Sequence, residues 1–269
     1  MKNKFFRTAL LVATAALLLS CGNSVRNNAN YIKVGVASGP EYVIAQIAQK
    51  VAKEKFNLEV ELISFSDYIM PNTALHQKDI DVNVFQTRPF LEEQSKQRRY
   101  DFAVAGNTFV YPMAVYSRKI KTLDELKDGS AIVIPNDAAN GGRALLLLGQ
   151  AGLIKLKQGC GYTPRLVDIE KNARCFYLVE LEAPQLPRVL DDNDVIIAVI
   201  NNNFAAKAGL FLHNSIYAED KDSPYVNLIV ARTGNKDEEK VRKFVQAYQS
   251  EEVVEAAYQA FKGGAIRGW

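Results

Sequence analysis

Short apolar runs alternate with helical stretches along most of the chain. "YIKVGVAS" (31–38) reads as a strand, and "EYVIAQIAQKVAKEKF" (41–56) places apolar residues at helical spacing. "LEVELISF" (58–65) alternates like a half-buried strand, "MPNTALHQK" (70–78) reads as a short helix, "IDVNVFQ" (80–86) as a strand and "PFLEEQSKQRR" (89–99) as a helix. "FAVAGNTF" (102–109) and "PMAVYSR" (112–118) are strands, and "TLDELKDG" (122–129) is a short helix opened by a Thr122–Glu125 capping box. "AIVIP" (131–135) leads into "GGRALLLLGQAG" (141–152), a helix opening near Ala144 behind Asn140 as N-cap. "FYLVEL" (176–181) and "DVIIAVI" (194–200) are nearly continuous apolar runs, the mark of buried strands. "VNLIVAR" (226–232) is a further strand, and 236–264 reads as two amphipathic helices. Strands alternating with helices predict an α/β fold with mostly parallel sheets. The strand–helix pattern runs through twice, with "NTFVYPMAVYS" (107–117) as the crossover, so two lobes suit the length better than one wide sheet.

The first twenty residues break this pattern. Lys2, Lys4 and Arg7 form a basic region, followed by "ALLVATAALLLS" (9–20), an apolar run too short to span a bilayer. It ends in "LLSC" at Cys21, a lipobox-like site, and then "GNSVRNNAN". The expected organisation is a lipoprotein signal peptide (1–20), a flexible tether (21–30), lobe A (31–113 plus 226–269) and lobe B (114–225). Cys21 is the expected lipid attachment site. The chain has 33 Lys+Arg and 30 Asp+Glu, and three of the basic residues lie before Cys21, where there is no acidic one. The remainder is balanced and shows no basic face with interleaved aromatics, so no nucleic-acid partner is expected. Cys160 and Cys175 are left as a pair in an oxidising compartment, and a disulfide between them is expected.

The catalytic inventory is thin. The two histidines, His76 and His213, have no partner at metal-ligand spacing, and no Gly-x-Ser-x-Gly elbow occurs. Gly141-Gly142 follows a strand and invites a phosphate reading, but without the Lys-Ser/Thr of a P-loop or the spacing of a dinucleotide fingerprint. The chain reads as no enzyme, with no metal and no cofactor. Polar and aromatic residues instead gather at strand ends, where open α/β sheets bind ligands. These are Tyr68, then Phe85, Gln86 and Thr87, then Arg143, Asn201 and Asn227. Each has a plainer reading: Tyr68 and Phe85 as core aromatics, Asn201 as a turn residue, Arg143 as the partner of Asp137. Asn227 is harder to dismiss, because a buried amide needs partners. Arg143 is a cation in what reads as the first turn of a helix, where the dipole disfavours it. An anion held between it and the glycine N–H groups would resolve that conflict. Together these residues describe a receptor for a small zwitterion with an apolar side chain.

The stretches "DYIMPNTAL", "DIDVNVFQ", "VAGNTFVYPMAVYSRKIKTLDELKDGS", "VELEAPQLPRVLDD", "AVINNNFAAKAGL", "EDKDSPYVNLIVAR" and "FKGGAIRGW" resemble the NlpA lipoprotein family of methionine-binding ABC-importer lipoproteins. The resemblance runs from about Tyr31 to Trp269. It implies a two-lobed periplasmic-binding-protein (type II-like) fold with a ligand cleft between lobes. It also implies capture of L-methionine or a close analogue, and delivery to the permease and ATPase subunits of an ABC transporter. By resemblance, Arg143 meets the carboxylate, Asn201 and Asn227 fix the head group, and Tyr68, Phe85 and Phe90 wall the thioether. The chain departs from the family at Thr87, where many members have His, and at Phe90, where many have Tyr. The implied location is the cell envelope, lipid-anchored and facing the periplasm. The alternative is a surface lipoprotein with an adhesion or host-interaction role.

Overall fold

A computed structural model describes residues 29–220 and 222–269. The signal peptide, Cys21 and nearly all of the tether lie outside the described residues. Two sheets organise the rest. The first has six strands in the order β13-β4-β12-β3-β1-β2. They are β1 (Tyr31–Ala37), β2 (Glu59–Phe65), β3 (Val82–Thr87), β4 (Phe102–Val110), β12 (Val226–Arg232) and β13 (Ile266–Arg267). The second has five, in the order β11-β5-β10-β6-β9: β5 (Ala114–Tyr116), β6 (Ala131–Pro135), β9 (Tyr177–Leu181), β10 (Val195–Ile200) and β11 (Tyr217–Ala218). A small pair, β7 (Lys155–Leu156) and β8 (Ile169–Lys171), lies outside both. The chain passes from the first sheet to the second through 111–113 and returns through 219–225.

Each sheet has its own core. Helix α1 (Pro40–Phe56) carries Ile44, Ala45, Ala48, Val51 and Ala52 on its buried side. They pack with α7 (Glu239–Tyr248) and α8 (Glu251–Ala260) over β1 and β12 through Phe244, Tyr248 and Val253. Pro40 needs no N–H at its first-turn position, and Asn57 ends the helix in the left-handed region. On the second sheet, α4 (Ala138–Gln150) buries Leu145, Leu147 and Leu148 against Ile132, Ile134 and Val199. Between β2 and β4 lie α2 (Met70–His76) and α3 (Arg88–Arg98), and between β9 and β11 lie α5 (Leu186–Val189) and α6 (Asn202–Lys207). Among the described residues, no helix is long and apolar enough to cross a membrane.

The sheets are mixed and not mostly parallel. β1–β2, β1–β3, β6–β9 and β6–β10 run parallel. β12 lies antiparallel between β3 and β4, and β5 is antiparallel to β10 and β11. The antiparallel pairs arise where the chain enters or leaves a sheet through the crossovers, with no returning helix to impose a parallel direction. β10 is buried, as its apolar run predicts. β9 is an edge strand with Tyr177 exposed, so its run is half-covered only.

The expected Cys160–Cys175 disulfide is not formed; both are free thiols. Cys160 turns its thiol back onto the carbonyl of Lys157 at 3.1 Å. Cys175 is exposed in a separate turn at φ +52°, where its N–H donates to Asn172 O. The two residues thus sit in separate local turns.

Candidate functional site

A narrow cavity lies between the two sheets. All seven ligand residues expected from the sequence, Tyr68, Phe85, Thr87, Phe90, Arg143, Asn201 and Asn227, line it. So does Gln86. Tyr68 comes from the loop before α2, Phe85 and Thr87 from the end of β3, Phe90 from α3 and Asn227 from β12. The second sheet supplies Arg143 from α4 and Asn201 from the turn into α6.

The apolar wall is an aromatic box. The Phe85 and Phe90 rings meet edge-on at 5.7 Å, and Tyr68 stands 5.6 Å from Phe85 and 6.1 Å from Phe90. Phe204 of α6 backs Tyr68 at 4.7 Å. Burial, then the nearby Glu41 and Asp137 carboxylates, push the Tyr68 hydroxyl well above its ordinary range, so the wall stays uncharged. Behind β3 lies a closed amide network. Gln86 Nε2 donates to Asn72 Oδ1 and Asn83 Oδ1 at 2.8 and 2.9 Å, and Asn72 Nδ2 donates to Gln86 Oε1 at 3.0 Å. Its members satisfy one another, which fixes the strand that carries Phe85 and Thr87.

The polar end departs from the sequence reading. α4 begins at Ala138, not near Ala144, and its N-cap is Asp137, whose carboxylate accepts from Asn140 N at 2.8 Å. Arg143 therefore stands in the second turn, and the dipole conflict does not arise. Gly141 and Gly142 serve packing and not an anion: a Cβ would lie 2.7 Å from Pro135 O at Gly141 and 2.7 Å from Thr163 Cα at Gly142. Asp137 is occupied as a cap, so it is not the partner of Arg143 either. That partner is Glu219. Arg143 Nε donates to Glu219 Oε1 at 2.7 Å, and Nη2 donates to Oε2 at 2.5 Å and to Tyr111 O at 3.0 Å. The guanidinium lies 4.2 Å over the Tyr225 ring. A guanidinium has five N–H donors, and these contacts use the three on Nε and Nη2. The two on Nη1 have no partner among the described residues. The two-point fork is thus spent within the protein, and Nη1 is the part of the guanidinium left unengaged among the described residues.

Several acceptors belong to the lining residues of that end, Asn202 Oδ1 among them, buried without a partner. Asn201 Nδ2 donates to Asn140 Oδ1 at 2.7 Å, while Asn201 Oδ1 is buried without a partner. Glu41, missed by the sequence reading, is 2 % exposed and lines the cavity from the first turn of α1. Its carboxylate accepts no hydrogen bond among the described residues, and burial raises its pKa well above the ordinary carboxylate range. An acidic residue in the first turn of a helix is commonplace, and only its place beyond the carboxyl end of β1 hinted at a ligand. The Asn227 side chain likewise finds no partner among the described residues. No cluster of His, Cys, Asp or Glu suited to a metal occurs among the described residues.

A sequence model of the NlpA lipoprotein family matches residues 32–269. The chain belongs to the NlpA lipoprotein family. It is 54 % identical over 269 residues to the D-methionine-binding lipoprotein MetQ of Escherichia coli O157:H7, covering all of this chain and 99 % of that protein. A nutrient-binding protein from Burkholderia cenocepacia, solved bound to methionine, superposes with a TM-score of 0.86 at 46 % identity, over 88 % of this chain and all of that one. An ABC-transporter periplasmic substrate-binding protein from Coxiella burnetii gives 0.85 at 40 % identity, over 88 % of this chain and all of that one. The two-sheet architecture with a cleft between is that of this family.

Proposed function

We propose that this chain is a substrate-binding protein that captures methionine in the inter-sheet cavity and hands it to an ABC importer. The observation that carries this reading is the pairing of unmet polar groups with an aromatic box in one cavity. Glu41 and Asn201 Oδ1 accept the ligand ammonium, Arg143 Nη1 donates to its carboxylate, and the Asn227 amide serves the same head group. Tyr68, Phe85 and Phe90 pack the thioether, whose sulfur gains ~0.3–1.5 kcal/mol per aromatic contact. Thr87 adds a hydroxyl beside them. We assign 31–113 with 226–269 to one lobe and 114–225 to the other, closing over the ligand and excluding water. The chain leaves its ligand unchanged and is not an enzyme; ATP is hydrolysed by the importer's ATPase subunits, and its permease receives the methionine. Cys21 carries the lipid that anchors the protein to a membrane, facing the periplasm.

Native mass spectrometry of the soluble part, beginning after Cys21 and purified without added ligand, tests this reading. The expected spectrum shows a species heavier by one methionine that loses the mass on unfolding and exchanges with added methionine. A bare protein that takes up no added methionine overturns it.

A further inference from the structure

Arg143 lines the cavity; Glu219 does not. Glu219 nevertheless gathers the contacts that decide where Arg143 stands. Its two oxygens take the Nε and Nη2 edge of the guanidinium. Oε2 also accepts from Met113 N at 3.0 Å and from Ser223 Oγ at 3.1 Å. Met113 belongs to the outgoing crossover between the sheets, and Glu219 and Ser223 belong to the returning one. Tyr111, whose carbonyl takes the other Nη2 hydrogen, is on the outgoing crossover as well. One carboxylate therefore ties both connections between the sheets to one guanidinium. Both side chains of the pair are under a tenth exposed. The bidentate match fixes the guanidinium plane as well as its position, and Tyr225 supports its face.

We infer that Glu219 is a positioning residue for the ligand carboxylate: it locks the Nε/Nη2 edge of Arg143, so that the two Nη1 donors are held toward the cavity at the hinge between the sheets. This rests on the methionine reading and deepens it. Glu219 reaches the ligand only through Arg143, so its influence is confined to ligands with a carboxylate. The lock is the same with and without ligand, because the bound carboxylate takes only the Nη1 donors that Glu219 leaves.

The test compares methionine with methioninol, which keeps the ammonium and the thioether and lacks the carboxylate. Both are titrated calorimetrically into wild type and Glu219→Gln, which keeps the size and one acceptor of Glu219. Glu219→Gln is expected to weaken methionine by about tenfold to a hundredfold, the scale of a charge-assisted hydrogen bond, and methioninol by less than about twofold. Equal weakening of both, or no weakening of methionine, overturns the inference. Wild type that binds no methionine overturns the functional reading instead. A second measurement needs neither the variant nor the analogue. The Arg143 Nε–H signal of wild type, followed by nitrogen-15 NMR, is expected to exchange slowly with solvent both without and with saturating methionine. Rapid exchange in either state overturns the lock.

Discussion

Asn201 donates its side-chain amide to Oδ1 of Asn140 across 61 positions of the chain, at 2.7 Å. The orientation of both amides follows from what lies upstream. The Asn140 Nδ2 donates to both oxygens of Asp137, at 3.1 and 2.9 Å, which commits the Asn140 nitrogen to that carboxyl group. Asn140 must then present its oxygen to Asn201, and Asn201 must give its nitrogen. What Asn201 has left for the cavity is an acceptor, the complement of an ammonium. Asn201→Ala is expected to weaken methionine binding by ~1–3 kcal/mol, about fivefold to 150-fold. Calorimetric titration of the variant checks this, and wild-type affinity would remove Asn201 from the head-group site.

Glu41 carries a pH signature. Its carboxyl ionises near 4.5 in the unfolded chain but holds its proton to higher pH when buried and ligand-free. Between those values the folded state binds more protons than the unfolded one, so stability falls as pH rises through the window. Glu41→Gln has no such proton to lose. The ligand-free variant is expected to match wild type at pH 4 and to exceed it at neutral pH, because only wild type loses stability as pH rises through that window. The same variant should bind methionine more weakly, having lost the charge that meets the ammonium. Thermal unfolding of ligand-stripped protein across pH, with calorimetry at neutral pH, reads both effects.

Arg143→Ala does more than empty a subsite. It leaves Glu219 buried without its counter-ion, which is expected to cost the ligand-free fold ~3–5 kcal/mol. Denaturant unfolding without ligand measures it. Unchanged stability would mean that the pair contributes nothing to the hinge.

The cysteines give a simple count. The soluble part that begins after Cys21 is expected to show two reactive thiols per chain when denatured without reductant, since Cys160 and Cys175 occupy separate turns. A count of none would restore the disulfide. At the other end, Cys21→Ala is expected to abolish the membrane-bound mature form, as read by fractionation and by the size of the cleaved product.

The strand–helix alternation was legible because each element buries one face, and that leaves a period in the sequence. Strand direction was not: β12 would show the same apolar run in either orientation, so its antiparallel place between β3 and β4 had no signal. Tyr68, Phe85 and Asn227 stood out as aromatics or an amide at strand ends. Glu41 and Glu219 did not, because a buried acid and a solvated one are written with the same letter. The partner of Arg143 lies 76 positions away, beyond any local rule, whereas the nearby Asp137 was already engaged as a helix cap. Gly141 and Gly142 looked like a ligand loop because close approach to neighbouring backbone and close approach to an anion ask for the same residue.

The inter-sheet cavity is expected to hold one methionine. Calorimetric titration of methionine into the soluble part, after unfolding and refolding to strip any ligand carried through purification, tests it most directly, with Asn227→Ala alongside. Saturation at one methionine per chain, with a weaker constant in the variant, is the predicted result. No saturable binding in wild type, or the same constant in Asn227→Ala, would contradict it.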